Sequence, residues 1–232
     1  MRQYGFDNEY GTTFSHGLRF LEFPAFEYGQ EVVESKSVPG RAGTLTVYTG
    51  RYTDTVITNV MEFASDAVEL FEAKLSAIKQ WISKTRKVTY NDKEDRFYHV
   101  KKAEIIDIKR KYGIFGIITV VFTCESFAYL KCGEYEVGAG GFYNPYAWTQ
   151  PIYKITGNGL CTLTVNDKSV TANVSGDITI DTEKMISYRS DGTSQNTAIT
   201  GDYEDIYLSE GENAVSVTDG FACKVIPRWR CL

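Results

Sequence analysis

Only one segment of this 232-residue chain carries a helical hydrophobic period, and almost everything else alternates or turns. Val68, Phe71, Leu75, Ile78 and Ile82 recur at three- and four-residue steps with Trp81 beside them, which makes one apolar stripe. Ser65 or Asp66 is placed to cap its start, Asp66 with Glu69 resembles a capping box, and Lys79, Lys84, Arg86 and Lys87 gather near its end. The spacing predicts a helix over 66–84. A chain of this length with one helix must build its cores from sheets, and the 16 tyrosines, 13 phenylalanines and 20 glycines fit that composition.

Before the helix, Thr55 to Phe63 alternates, with Val56, Thr58, Val60 and Glu62 on one side and Ile57, Asn59, Met61 and Phe63 on the other. Ser35 to Gly43, with Pro39, Gly40 and Gly43, reads as a long loop or extended arm. After the helix, Phe97–Ile108 and Ile114–Cys124 form a long hairpin about a basic turn, Lys109-Arg-Lys-Tyr-Gly113, read as a solvated turn. Val137-Gly-Ala-Gly-Gly141 has neither the lysine nor the strand–helix setting of a phosphate loop and is read as a linker. Beyond Gln150 about eight short strands alternate with turns such as Gly157-Asn-Gly159, Asn166-Asp167, Ser175-Gly176 and Asp219-Gly220. That spacing predicts a β-sandwich or jelly roll.

The expected organisation is therefore mainly β, with an α+β first domain: residues 1–132 with the helix, a Gly-rich linker at 133–142, and a β-sandwich at 143–232. Charge divides the same way. Met1 to Cys132 holds 18 basic and 17 acidic residues, Gly133 to Leu232 only 7 and 13. The net charge of −5 lacks the basic excess of a nucleic-acid binder, so no nucleic-acid specificity is expected. No apolar run reaches the ~20 residues of a membrane helix, and Met1 to Glu9 has no apolar core of a secretion signal, so synthesis in a cytoplasm is expected. Five cysteines, Cys124, Cys132, Cys161, Cys223 and Cys231, without a C-x-x-C pair predict buried free thiols.

Catalytic signals are missing. His16 and His99 have no ligand-pair spacing, there is no H-E-x-x-H or G-x-S-x-G, and no nucleophile or general base is nominated. No cofactor or metal is expected, and Asp202, Glu204 and Asp205 read as a solvated turn. One binding reading stays open. Sandwich domains often hold sugars, and Tyr143, Trp148 and Tyr203 are aromatic faces on which a carbohydrate of a host surface would stack.

Several landmarks, in order, resemble the siphophage distal tail protein family. They are Val38-Pro-Gly-Arg-Ala-Gly-Thr44 with Tyr48-Thr-Gly-Arg-Tyr52, the helix end Ile78-Lys-Gln-Trp-Ile82, and Val121-Phe-Thr-Cys-Glu125. Asn144, Pro151-Ile-Tyr-Lys-Ile-Thr-Gly157, Leu163-Thr-Val-Asn166, Ile178-Thr-Ile-Asp181, Leu208-Ser-Glu-Gly-Glu-Asn213 and the closing Val225-Ile-Pro-Arg-Trp-Arg230 complete the set. The resemblance implies a structural virion protein at the tail tip and not an enzyme. Its first domain would close into a homo-hexameric ring between the tail tube protein and the tail-tip protein, with a galectin-like sandwich outside. The 36–52 arm and the 101–122 hairpin become the expected contact elements, with Arg41, Tyr48 and Tyr52 as interface residues.

Overall fold

The computed structural model describes residues 4–40 and 42–232, and the chain divides into two compact units, one ending at Ala128 and one running from Tyr129 to Cys231.

The first unit contains β1 (Phe6–Asn8), β2 (Gly11–Thr12), β3 (Leu18–Phe20), β4 (Ala25–Glu27), β5 (Glu31–Ser37), β6 (Thr44–Tyr52), β7 (Thr55–Ala64), α1 (Phe71–Ser83), β8 (Lys87–Tyr90), β9 (Arg96–Lys111) and β10 (Phe115–Cys124). Its main sheet runs in the order β2-β1-β8-β9-β10-β7-β3, with β4 also on β7. Strict alternation decides which face is buried. Ile57, Asn59, Met61 and Phe63 of β7 turn inward and meet Phe122, Val120, Ile118 and Gly116 of β10 in antiparallel register. At the Phe63–Gly116 pair the ring occupies the space a β-carbon on Gly116 would need. Asn59 is the polar member of this core and is fully paired. Its Oδ1 accepts the Tyr90 hydroxyl at 2.7 Å, and its Nδ2 donates to the Ile57 and Val120 carbonyls at 3.3 Å.

The helix packs through Phe71, Leu75, Ile78, Trp81 and Ile82, all buried. It is shorter than the expected 66–84 because its first turn is pre-empted. The Ser65 hydroxyl donates to Ala67 O at 2.8 Å instead of capping, Arg110 Nη2 donates to Val68 O at 3.2 Å, and Val68 is left exposed. The N-cap position, just before Phe71, is Leu70, without a side-chain cap, so the Asp66–Glu69 box is not formed. Arg86 covers the other end, donating to the Ser83 and Thr85 carbonyls at 3.2 and 3.0 Å. Trp81 is the anchor: its ring stacks on Phe6 at 5.3 Å and on His16 at 4.3 Å, and Nε1 donates to Asn8 Oδ1 at 2.9 Å.

The second unit contains β11 (Ala128–Leu130), which begins at the division, then β12 (Val137–Gly138), β13 (Gly141–Asn144), β14 (Ile152–Val165), β15 (Lys168–Asp181), β16 (Ile186–Tyr188), β17 (Ile199–Thr200), β18 (Gly211–Val217), β19 (Ala222–Ile226) and β20 (Arg230–Cys231). Here the short-strand expectation changes. Ile152–Thr156 and Leu160–Val165 are one strand, as are Ser169–Val174 and Asp177–Asp181, and only Asn166-Asp167 turns the chain between them. Gly157 and Gly176 face each other across that pair. They let two long strands bend instead of ending them, because Phe221 lies where a Gly157 β-carbon would stand, and Gly176 at φ +87° donates its N–H to Asn158 Oδ1 at 2.9 Å. Bent β14 pairs with β19 through residues 152–156 and with β18 through residues 163–165, so it serves both layers of a curled sandwich. After β17 the chain makes a 3-10 turn over Tyr203–Ile206, followed by a bridge between Leu208 and Thr149.

Residues 133–142, expected as a linker, carry β12 paired to β19 and the start of β13 paired to β18. Their glycines permit a crossing between strands: Gly140 O accepts Val215 N–H at 2.8 Å and Ala139 N–H donates to Cys223 O at 3.2 Å. The sandwich interior is Tyr153, Ile155, Leu163, Val170, Ile178, Ile180, Val225 and their neighbours. Cys124, Cys161 and Cys223 are buried thiols as expected, burial pushing Cys124 and Cys223 up to about 12. Cys132 is exposed and Cys231 partly so, because both lie at the margin of the β11–β20 pair and not on a core-facing strand position.

Candidate functional site

The most unusual element of the first unit is the β5–β6 hairpin, which forms a two-stranded sheet of its own. Val33 pairs with Tyr48, Ser35 with Thr46 and Ser37 with Thr44. The expected loop at 35–43 therefore shortens to a tip beyond Ser37, where Gly40 and Gly43 adopt φ of +82° and +85° with open space around them. At ~3.3 Å per residue the ribbon reaches roughly 20–25 Å. Every β5 residue is exposed, and Val32, Val33, Val38, Leu45 and Tyr48 present apolar surface to solvent. A two-stranded ribbon without a packed face is marginal alone.

Of the expected interface residues, Tyr48 and Tyr52 stand at different places on the ribbon. Tyr48 stands at mid-ribbon and is 69 % exposed. Tyr52 is at the root, its ring 5.1 Å from Phe127 and its carbonyl accepting the Ser126 hydroxyl at 3.2 Å, so it anchors the ribbon. Arg41 lies outside the described residues. Thr53 N–H to Gln30 O and Gln30 N–H to Thr53 Oγ1, both 2.9 Å, close the base.

The second expected element, the β9–β10 hairpin, is regular except for two register shifts, one of which leaves Ile106 unpaired and exposed. Its basic tip is more structural than its composition suggests. Lys109 pairs with Asp107 at 2.8 Å, while Arg110 lies 4.1 Å over the Phe71 ring and donates to Gly113 O at 2.7 Å. Tyr112, at φ +47°, is 91 % exposed, and Ile108 and Phe115 flank it. The tip thus offers apolar contact surface instead of a loose cluster of cations.

In the second unit the aromatic faces proposed for sugar stacking are dispersed. Trp148 already carries the Arg230 guanidinium 4.0 Å over its ring and stacks with Tyr207 at 5.4 Å. Tyr203 packs on the sandwich core, and Tyr143 stands alone on β13, 64 % exposed. Asp205 pairs with Lys168 at 2.5 Å, and among the described residues no group of three or more His, Cys, Asp and Glu is arranged to hold a metal. No helix of the described residues is long and apolar enough to cross a membrane.

The remaining landmarks are structural. Buried Asn144 donates to Ala147 O and Ser209 O at 3.0 Å, and buried Asn213 donates to Ser209 O at 2.9 Å and Gly211 O at 3.0 Å. Arg228 grips buried Asp181 in bidentate fashion at 2.9 and 3.1 Å. Burial alone would raise the Asp181 carboxyl; the Arg228 hydrogen bonds and charge outweigh it and hold it below its ordinary value.

No protein-family model matches the chain, and no curated protein matches it in sequence. Solved structures do match. The chain superposes on the Dit (gp 19.1) protein of phage SPP1, described as a paradigm of the hub adsorption apparatus in phages infecting Gram-positive bacteria, with a TM-score of 0.67 at 14 % identity over 97 % of this chain and 98 % of that one. A chain of the phage P2 baseplate, in its activated conformation with Ca, matches with a TM-score of 0.52 at 10 % identity over 100 % of this chain and 98 % of the other. From end to end, this chain has the fold of a phage distal tail protein.

Proposed function

We propose that this chain is a structural subunit of a phage tail tip, made in the host cytoplasm and incorporated into the virion, with no catalytic role. Six copies close into a ring that joins the tail tube protein to the tail-tip apparatus contacting the host. The observation that carries this reading is the β5–β6 ribbon. It exposes apolar side chains that nothing in its own unit covers, and the neighbouring copy in a ring is the partner that would bury them. Likeness to a hub protein over nearly the whole chain supports the same reading. A ring requires two different patches on each subunit, so that every ribbon meets a surface other than itself. The apolar tip of the β9–β10 hairpin is a second contact element.

Light scattering across a concentration series tests it. The expected species is six times the 26.1 kDa chain, with ribbon amides protected from exchange only in the assembly. A strict monomer whose ribbon amides are nonetheless protected would refute the ribbon as an assembly element.

A further inference from the structure

Asn158 is the one asparagine of this chain followed directly by glycine. The pair lies at the bend of β14, between the stretch 152–156 that pairs with β19 and the stretch 163–165 that pairs with β18. Both residues are exposed, and so is Leu160 after them. Gly159 adopts φ +113°, a conformation that favours glycine, with nothing within 4 Å of the place where a β-carbon would stand. A chain position of this kind leaves the glycine nitrogen open to the side chain that precedes it.

That side chain is held at one end only. Asn158 Oδ1 accepts the Gly176 N–H at 2.9 Å, from the strand opposite. The bond draws electron density from the amide carbon and stabilises negative charge arriving on its oxygen. Asn158 Nδ2 has no hydrogen-bond partner among the described residues, so nothing there retains it as a leaving group. Asn59, Asn144 and Asn213 differ on every count. Each is buried and bonds through both ends of its amide, and Val60, Pro145 and Ala214 follow them.

We propose that Asn158 is a site of spontaneous, backbone-assisted deamidation. The Gly159 nitrogen gives its proton to solvent base and attacks Asn158 Cγ. An N–Cγ bond forms, the Cγ–Nδ2 bond breaks, and ammonia leaves with a proton returned from solvent, closing a succinimide. Water then opens the ring. Addition at Cγ gives an aspartate, and addition at the backbone carbonyl gives an isoaspartate, whose main chain runs through the former side chain. Both products carry a new negative charge. The aspartate keeps an acceptor for the Gly176 N–H. The isoaspartate lengthens the backbone by a methylene between the two pairing stretches of β14, so the registers with β19 and β18 no longer fit together.

The test ages the full chain at neutral pH, folded and in urea. Peptide mapping by mass spectrometry reads each asparagine separately, and isoaspartate methyltransferase labelling distinguishes the products. In the folded chain Asn158 converts ahead of every other asparagine, isoaspartate accumulates in its peptide, and Gly159→Ala slows the conversion severalfold. Should that variant misfold, the parent's folded sample decides by itself. No conversion of Asn158 in the folded chain overturns the proposal, whatever the urea sample shows, because the ladder then protects the site. Conversion of another asparagine ahead of Asn158 overturns it too, as does conversion that a folded Gly159→Ala chain leaves unchanged.

Discussion

Phe221 closes directly over the backbone of Gly157, its Cδ1 occupying the place of the β-carbon that glycine lacks. The contact explains how β14 bends between two layers without breaking, and it makes this glycine irreplaceable in a way its neighbour Gly159, with open space around it, is not. Gly157→Ala must displace the ring and is expected to cost about 2–3 kcal/mol, whereas Gly159→Ala costs only its backbone strain of about 1 kcal/mol. Denaturant unfolding of the two variants, compared at their midpoints, checks the difference.

The ribbon yields a prediction that separates assembly from folding. Tyr48→Asp places a charge at its exposed midpoint, opposite Val33. The expected outcome is loss of the ring in light scattering with a thermal midpoint within about 2 °C of the parent, since exposed substitutions shift stability by about ±0.5 kcal/mol. Tyr52→Ala should behave differently. Its ring packs on Phe127 at the root, so a measurable drop in stability accompanies any loss of assembly.

Trp81 ties the helix to the sheet through both its ring and its Nε1 hydrogen bond to Asn8. Trp81→Ala is expected to cost about 3–5 kcal/mol. Asn8→Ala removes the indole's acceptor and the 2.7 Å bond to Thr85, for about 1–3 kcal/mol. Chemical denaturation of the two single variants tests the order; equal losses would contradict it.

The Asp181–Arg228 pair predicts a pH dependence. The folded-state pKa of Asp181 lies below its ordinary 3.8, so the unfolded chain takes up the proton first as pH falls. The stabilisation is fully present above about pH 4 and is lost as pH falls through the lowered value. Asp181→Asn should therefore lose about 2 kcal/mol at pH 7, and the gap to the parent should shrink steadily below pH 4. Thermal midpoints of both proteins from pH 7 to pH 2.5 give the comparison.

Local pattern alone determined a good deal. The parity of Thr55–Phe63 assigned Ile57, Asn59, Met61 and Phe63 to one face, and that face is buried. The three- and four-residue steps from Phe71 to Ile82 located the helix and its buried stripe. Both signals are legible because period 3.6 and period 2 are properties of consecutive residues. What lies opposite a residue is not. Gly157 and Gly176 carried the local signature of turns, yet pairing set them across from each other inside two continuous strands. The helix start was displaced by Arg110, 42 residues away from Val68, and the glycines at 138–141 crossed between strands because β18 and β19 supplied their partners. Tyr48 and Tyr52 looked alike in sequence, and Phe127 made one an anchor and left the other free. Sequence fixes which side chains seek burial; long-range strand pairing, which depends on every other strand in the sheet, decides what each of them meets.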